Sequence, residues 1–154
     1  MSGKRLPRVD YKSLAEFRYQ IRRFSNFSEV EARRSGLEPQ QHQALLAIKG
    51  HSPGVEMTVG RLAERLQVRH HTAVELTDRL ESKGWIRRSR SHGDARKVNL
   101  CLTQRGGKLL EILSVSHRAE LRAAGPRLIA ALRSVLERQS RPSRRRRATT
   151  RRPR

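Results

Sequence analysis

Apolar residues recur along most of the chain at the three- and four-residue steps that are typical of amphipathic helices. The first stripe predicts a helix that ends near Gly36. Its members are Leu14, Phe17, Ile21, Phe24 and Ser28. A second helix is predicted from Pro39, which suits a first helical turn, to Gly50.

Two shorter helices follow, separated by a break at Gln67 and Val68. The first begins after Thr58, whose hydroxyl suits a capping position, and the second ends at Gly84, where glycine commonly terminates helices. Their apolar faces consist of Val59, Leu62, Ala63 and Leu66 in the first and of Ala73, Leu76, Thr77 and Leu80 in the second. This arrangement is typical of a helix-turn-helix. The spacing alone fits two core helices of an unrelated bundle equally well.

After Gly84 the pattern changes from a helical period to alternation, which predicts a β-hairpin. The predicted strands are 85–91 and 95–103, joined by a turn at Gly93. In the second strand three apolar residues alternate with polar or small ones, as expected of a half-buried strand. These three are Val98, Leu100 and Leu102.

Beyond the hairpin a long apolar helix is predicted, with Thr103 as its cap. The Gly-Pro pair at 125–126 predicts an interruption before a last helix at 127–138. From Gln139 onward the sequence holds eight arginines, no acidic residue and no large apolar one. Such a segment buries too little surface to offset its ordering entropy, so 139–154 is predicted to be disordered, and 1–10 to be a flexible basic N-terminus.

The charge of the chain indicates its partners rather than its fold. Lys and Arg total 35 against 14 Asp and Glu, for a formal charge of +21. Removing the eight arginines of 139–154 leaves +13, so the rest of the chain is basic in its own right. A charge of this size favours polyanions, which leaves DNA, RNA and an anionic membrane surface as candidates.

Several classes of protein are disfavoured. No apolar run approaches the roughly 20 residues that span a bilayer, and the first ten residues lack the apolar core of a signal peptide. Cys101 is the only cysteine, so no internal disulfide can form, which agrees with a reducing compartment. We therefore expect a soluble cytoplasmic protein.

Three motifs, in this order, resemble the MarR family of bacterial winged helix-turn-helix transcription regulators. They are TVGRLAERLQV at 58–68, TAVELTDRLESKGWI at 72–86 and DARKVNLCLTQRG at 94–106. The third contains the Asp-x-Arg, the apolar strand and the Leu-Thr-x-x-Gly that the family typically shows. The resemblance runs from about Tyr11 to Arg138.

The resemblance implies a mainly α fold with a small β-hairpin (α+β), a winged helix-turn-helix with N- and C-terminal dimerisation helices. The dimerisation helices would be about 11–35 and 104–138, and the DNA-binding lobe about 37–103. It further implies a nucleoid-associated homodimer that binds a pseudo-palindromic operator, which we interpret as a repressor. The apolar stripes at both ends of the chain fit dimer contacts, while closure of a monomeric core is the alternative.

Four candidate DNA contacts lie at the start of the second helix of the helix-turn-helix: Arg69, His70, His71 and Thr72. In winged-helix docking that end enters the major groove, where arginine pairs with guanine and threonine meets a thymine methyl or a phosphate. For the two histidines, donation to bases or phosphates and a solvated polar turn are alternative interpretations. Thr58 is expected to cap the preceding helix, whose exposed amides would hold a phosphate.

The resemblance identifies the hairpin as the wing, with its tip at the minor groove and Arg96 as an important residue. A narrow A·T-rich minor groove concentrates negative potential and attracts arginine. Arg88, Arg90 and Lys97 are expected to contact phosphates. Asp94 is expected to accept hydrogen bonds from turn amides or to pair with Arg96, and a solvated surface pair is the alternative.

The sequence contains no metal-spaced His/Cys cluster, glycine-rich phosphate loop or nucleophile motif, so we expect no enzyme, metal or cofactor. Family members often bind small aromatic or anionic ligands, although no residue here identifies one. Cys101 is interpreted as a small strand residue. The stronger rival to a regulator is a nonspecific architectural DNA- or RNA-binding protein, which the charge and the arginine-rich tail suggest.

Overall fold

The computed structural model describes residues 10–90 and 98–138, which form five helices and a two-stranded antiparallel hairpin. In chain order the elements are α1 (Tyr11–Arg34), α2 (Pro39–Lys49), α3 (Val59–Leu66), α4 (His70–Ser82), β1 (Ile86–Arg90), β2 (Val98–Leu102) and α5 (Gln104–Arg138). The predicted fold class, mainly α with one small β-hairpin, is confirmed.

Local sequence signals account for most helix ends. Thr58 caps α3 as predicted, because its Oγ1 accepts from the backbone N of Arg61 at 3.3 Å. At α2, Gln41 Oε1 accepts from the backbone N of Glu38 at 3.0 Å. Gly84 follows α4 with φ of +70°, a conformation that favours glycine. These helix ends are where the sequence predicts them, because each signal involves residues only a few positions apart.

One prediction about the last helix is wrong, because α5 runs through residues 125–126 without interruption. A proline inside a helix removes one backbone hydrogen bond and crowds the preceding turn, at a cost of about 3 kcal/mol. However, α1 holds α5 on both sides of that point. His117 Nε2 lies 2.8 Å from Ser28 Oγ, and Ser134 Oγ lies 2.8 Å from Ser13 Oγ. Packing against α1 therefore keeps α5 continuous where the local sequence predicts a break.

At the two ends that lie within the described residues, the strands begin at Ile86 and end at Leu102, one residue inside the predicted bounds. They pair from Ile86 opposite Leu102 to Arg90 opposite Val98. The predicted burial is confirmed at Leu100, which is fully buried. It is wrong at Val98, which is 39% exposed. The reason is position, since Val98 lies at the opposite end of the hairpin from the buried Ile86.

Met57, just before α3, fixes the hairpin to the helix-turn-helix. Its carbonyl O accepts from the backbone N of Leu100 at 2.8 Å, and its backbone N donates to Asn99 Oδ1 at 2.8 Å. Behind this contact the apolar core joins the helix-turn-helix, the hairpin and α5. Its largest members include Leu45, Leu62, Leu80, Ile86, Leu100 and Leu113. No helix within the described ranges is long and apolar enough to cross a membrane.

Candidate nucleic-acid interface

The turn between α3 and α4 sets the direction of α4. Gln67 adopts the left-handed conformation with φ of 54°, and its Nε2 donates to the carbonyl O of Glu64 at 2.7 Å. The backbone N of Val68 donates to the carbonyl O of Ala63 at 3.0 Å and closes α3. The buried face of α4 consists of Ala73, Leu76, Thr77 and Leu80, as predicted. The exposed residues of α4 are therefore on its other faces.

Four predicted DNA contacts come together at the beginning of α4. Arg69 occupies the N-cap position, and its side chain makes no capping hydrogen bond. Arg69, His70 and His71 are exposed, and Thr72 is half-buried. An exposed cation beside the amides of a first helical turn is a combination that attracts phosphate.

Two further arginines, Arg61 and Arg65 of α3, are exposed and were not among the predicted contacts. Arg61 Nη1 donates to the carbonyl O of Glu56 at 2.6 Å, which holds the guanidinium near the start of α3. The signal that identifies them is their four-residue spacing on the polar side of an amphipathic helix. Thr58, the cap of α3, is half-buried beside them.

Arg88 has partners that its prediction as a phosphate contact did not foresee. Its Nη2 donates to Asp78 Oδ1 at 2.6 Å and to Thr77 Oγ1 at 2.8 Å, and its Nη1 donates to Glu81 Oε2. Burial opposes the charge of the guanidinium, but hydrogen bonds and charge attraction from both carboxylates raise the pKa of Arg88. The side chain therefore stays charged and joins β1 to α4.

The remaining predicted contacts of the hairpin divide into two groups. Arg90 is exposed at the end of β1. Arg87, near the beginning of β1, is exposed as well, although it was not a predicted contact. Asp94, Arg96 and Lys97 lie outside the described residues, so their roles stay predictions.

Cys101 is half-buried on β2. Its Sγ lies 3.8 Å from Ser89 Oγ and 3.7 Å from Asn99 Nδ2. Elsewhere in the described part of the chain, no three side chains of His, Cys, Asp or Glu converge as metal ligands.

A second surface feature, an open groove, lies where α1, α2 and α5 meet. Its lining consists of Phe24, Leu46, Ser114, His117, Arg118, Leu121 and Arg122. His117 also stacks on the buried His42 of α2, with 4.5 Å between the ring centroids. The groove is thus mainly apolar and carries two arginines.

Comparison with known proteins gives a match to one family and to two curated relatives, each over about half of the chain. Residues 35–97 match the MarR family. The HTH-type transcriptional repressor MdtR of Bacillus subtilis (strain 168) is 33% identical over 82 residues, 53% of this chain and 51% of MdtR. The HTH-type transcriptional regulator PecS of Dickeya dadantii (strain 3937) is 27% identical over 81 residues, 53% of this chain and 49% of PecS. The match thus spans about half the length of these curated relatives.

Solved structures match over most of the chain. MepR, a transcription regulator of the Staphylococcus aureus multidrug efflux pump MepA, superimposes with a TM-score of 0.68 at 21% identity. That alignment covers 84% of this chain and 98% of MepR. A MepR–DNA complex matches with a TM-score of 0.60 at 22% identity, over 85% of this chain and 99% of the MepR chain. At these identities the likeness establishes the fold.

Proposed function

We propose that this chain, which matches the MarR family over residues 35–97 and resembles the HTH-type transcriptional repressor MdtR, is a sequence-specific DNA-binding regulator and not an enzyme. It acts as a homodimeric repressor on a pseudo-palindromic operator. Each subunit places the start of α4 in the major groove and the hairpin at the adjacent minor groove. The observation that carries this proposal is the group of Arg69, His70, His71 and Thr72 at the start of α4, of which the first three are exposed.

The exposed polar groups divide into base contacts and phosphate contacts. Arg69 suits guanine, because a guanidinium can donate to O6 and N7 together, and Thr72 suits a thymine methyl or a phosphate. Arg61 and Arg65, which are exposed on α3, supply attraction to phosphates. The contact extends along the hairpin through Arg90 and Lys97. Arg96, oriented by Asp94, then reaches the minor groove.

The proposed dimer contact is supported by apolar side chains exposed on the two longest helices. They are Tyr11, Leu14, Tyr19 and Val30 on α1 and Ile112, Val115, Leu121, Ile129, Leu132 and Leu136 on α5. Apolar surface concentrated in this way favours a partner that covers it. A second copy of the chain does so with two-fold symmetry and presents two α4 helices, as a pseudo-palindrome requires.

The groove between α1, α2 and α5 supports an effector site in this proposal. Apolar lining suits an aromatic or aliphatic body, and Arg118 and Arg122 suit an anionic group. A small aromatic or anionic molecule bound there would contact both the proposed dimer helices and α2, which packs against the helix-turn-helix. Binding would therefore influence the spacing of the two α4 helices.

A nonspecific architectural DNA- or RNA-binding protein is the second candidate. The formal charge of +21 and the eight arginines of 139–154 favour it, because counterion release from a polyanion needs no base contacts. The resemblance to MdtR, an HTH-type transcriptional repressor, and to PecS, an HTH-type transcriptional regulator, favours the regulator instead.

Selection from a random duplex library, followed by competition at near-physiological salt, separates the two candidates. We expect a preferred palindrome that binds at least about 1000-fold more tightly than a scrambled duplex. A variant that ends at residue 138 serves as control, since it should lose affinity for both duplexes and keep the ratio. Equal binding to all duplexes with a steep salt dependence would support the architectural protein.

A further inference from the structure

The feature that carries a further inference is the contact between Arg88 of β1 and one face of α4. The guanidinium reaches Asp78 and Glu81, which lie one helical turn apart, and also the buried hydroxyl of Thr77. In addition the backbone N of Arg88 donates to Glu81 Oε1 at 3.1 Å. Main chain and side chain of a single strand residue are thus both fixed to α4.

This contact is directional rather than a loose surface ion pair. The Arg88 side chain is only 29% exposed, against 38% for Glu81 and 58% for Asp78. The Thr77 hydroxyl accepts from Arg88 and donates to the carbonyl O of Val74 at 2.8 Å, so its orientation is determined as well. Several charge-assisted hydrogen bonds to one planar guanidinium fix both the distance and the angle between β1 and α4.

The same contact changes the charge that α4 presents. α4 carries three carboxylates, of which Glu75 pairs with Arg79 at 3.3 Å. The other two, Asp78 and Glu81, share the single positive charge of Arg88, so the three groups together carry one net negative charge instead of two. Without Arg88 they would oppose the approach of α4 to DNA phosphates.

We propose that Arg88 is a positioning residue, which holds the hairpin at a fixed angle to α4 so that both elements meet one DNA half-site in register. The inference rests on the proposed function. Because the guanidinium of Arg88 is engaged within the protein, its loss should lower the discrimination between sequences, beyond the uniform loss of affinity that Asp78 and Glu81 then cause. Loss of a phosphate contact would lower the affinity for every duplex and leave the discrimination unchanged.

Arg87 is the matched control for this role. It precedes Arg88 on β1, is exposed, and points to the opposite face of the strand, because side chains alternate along a strand. Arg87→Met and Arg88→Met each remove one positive charge and leave an apolar stem of similar length. Any difference between the two variants therefore reports position rather than net charge.

The experiment measures the dissociation constants of the selected palindrome and of a scrambled duplex at several salt concentrations. We expect R87M to weaken binding to both duplexes equally. R88M should lower the ratio of the two affinities, palindrome over scrambled duplex, at least about tenfold. R88K should lower the ratio as well, because an ammonium cannot replace the planar fork. R88M should keep the wild-type salt slope, whereas R87M should make it shallower by about one unit if Arg87 contacts a phosphate.

Glu81→Gln gives a test of opposite sign. Removal of a negative charge near DNA should by itself tighten binding to every duplex. If Glu81 anchors Arg88, E81Q should lower the ratio between palindrome and scrambled duplex in spite of that gain. The double variant E81Q/R88M should lower this ratio little further than either single variant, because both substitutions break the same contact between Arg88 and Glu81.

Amide hydrogen exchange of residues 86–90, measured on the free protein, is the readout that needs no DNA. R88M should speed exchange in β1 at least about tenfold relative to R87M. The inference is overturned if the two variants exchange alike, or if both weaken the two duplexes equally while E81Q leaves the ratio unchanged. A wild type without any preferred duplex would count against the proposed function, and the exchange result would still decide the role of Arg88.

Discussion

His42 of α2 is buried, with only 4% of its surface exposed, and it stacks on His117 of α5. Within the described residues its Nδ1 has no hydrogen-bond partner. His117 is engaged with Ser28 Oγ through Nε2 and with the carbonyl O of Leu113 through Nδ1. Burial, and then repulsion by the charge of His117, lower the pKa of His42. Protonation of His42 would therefore place a positive charge in the buried contact between α2 and α5.

The lowered pKa gives a definite sign for the effect of pH on stability. Between the folded pKa and the ordinary value of 6.5 the unfolded chain binds more protons than the folded one. The contribution of His42 is thus complete above about pH 6.5 and is lost as the pH falls through the folded pKa. We expect His42→Phe to lose less free energy of unfolding than the wild type between pH 7.5 and 5.0, as measured by urea denaturation.

Exposed His71 is the control at this scale. His71→Gln should leave the difference between pH 7.5 and 5.0 as it is in the wild type. The same loss of stability in the His42→Phe variant as in the wild type would contradict the account of this residue.

Elements were predictable from the sequence where their signals are local. Thr58, Gly84 and the apolar stripes define helices and their ends because each signal acts within one or two turns. Contacts between distant segments were not predictable. The continuity of α5 depends on α1, and Arg88 finds Asp78 only because the turn at Gly84 brings β1 back along α4. In the sequence Arg88 is one basic residue among several, and a spacing argument does not tell which face of a strand it occupies.

The start of α5 offers a prediction at the scale of elements. Gly106 and Gly107 are adjacent, but a Cβ added at Gly106 would lie 2.0 Å from the carbonyl O of Trp85, while one at Gly107 would meet nothing within 4 Å. We expect Gly107→Ala to raise the free energy of unfolding by up to about 1 kcal/mol, since alanine favours the helix. Gly106→Ala should lower it by about 2 kcal/mol or more, because α5 must separate from the end of the hairpin.

Thermal and urea denaturation of the two variants decide this prediction. The account of how α5 packs on Trp85 would be wrong if Gly106→Ala were as stable as Gly107→Ala.

At the scale of the whole molecule, the exposed apolar surface of α1 and α5 contrasts with the polar exposed residues of α3 and α4. Ile129 is 53% and Leu136 is 61% exposed, and they lie two turns apart on one face of α5. In the proposed dimer they are covered by the second copy. Their burial would then stabilise association rather than the fold of one chain.

Ile129→Glu combined with Leu136→Glu tests this surface. Sedimentation should change from a dimer of 17.7 kDa chains to a monomer at low micromolar concentration, with the dissociation constant raised at least about 100-fold. The matched control is Val55→Glu combined with Val98→Glu, two exposed apolar residues outside α1 and α5. A dimer that survives the first pair, or dissociates only with the second, would place the interface elsewhere.

A substitution scan of every base pair in the selected duplex tests the central claim most directly, namely that two α4 helices read DNA together. We predict two symmetric groups of sensitive positions, centred about 10 base pairs or a multiple apart, with about 1–3 kcal/mol lost per mismatch. In the Arg69→Ala variant, sensitivity should fall at the corresponding position of both groups. A scan without position dependence, or with one group only, would contradict the account.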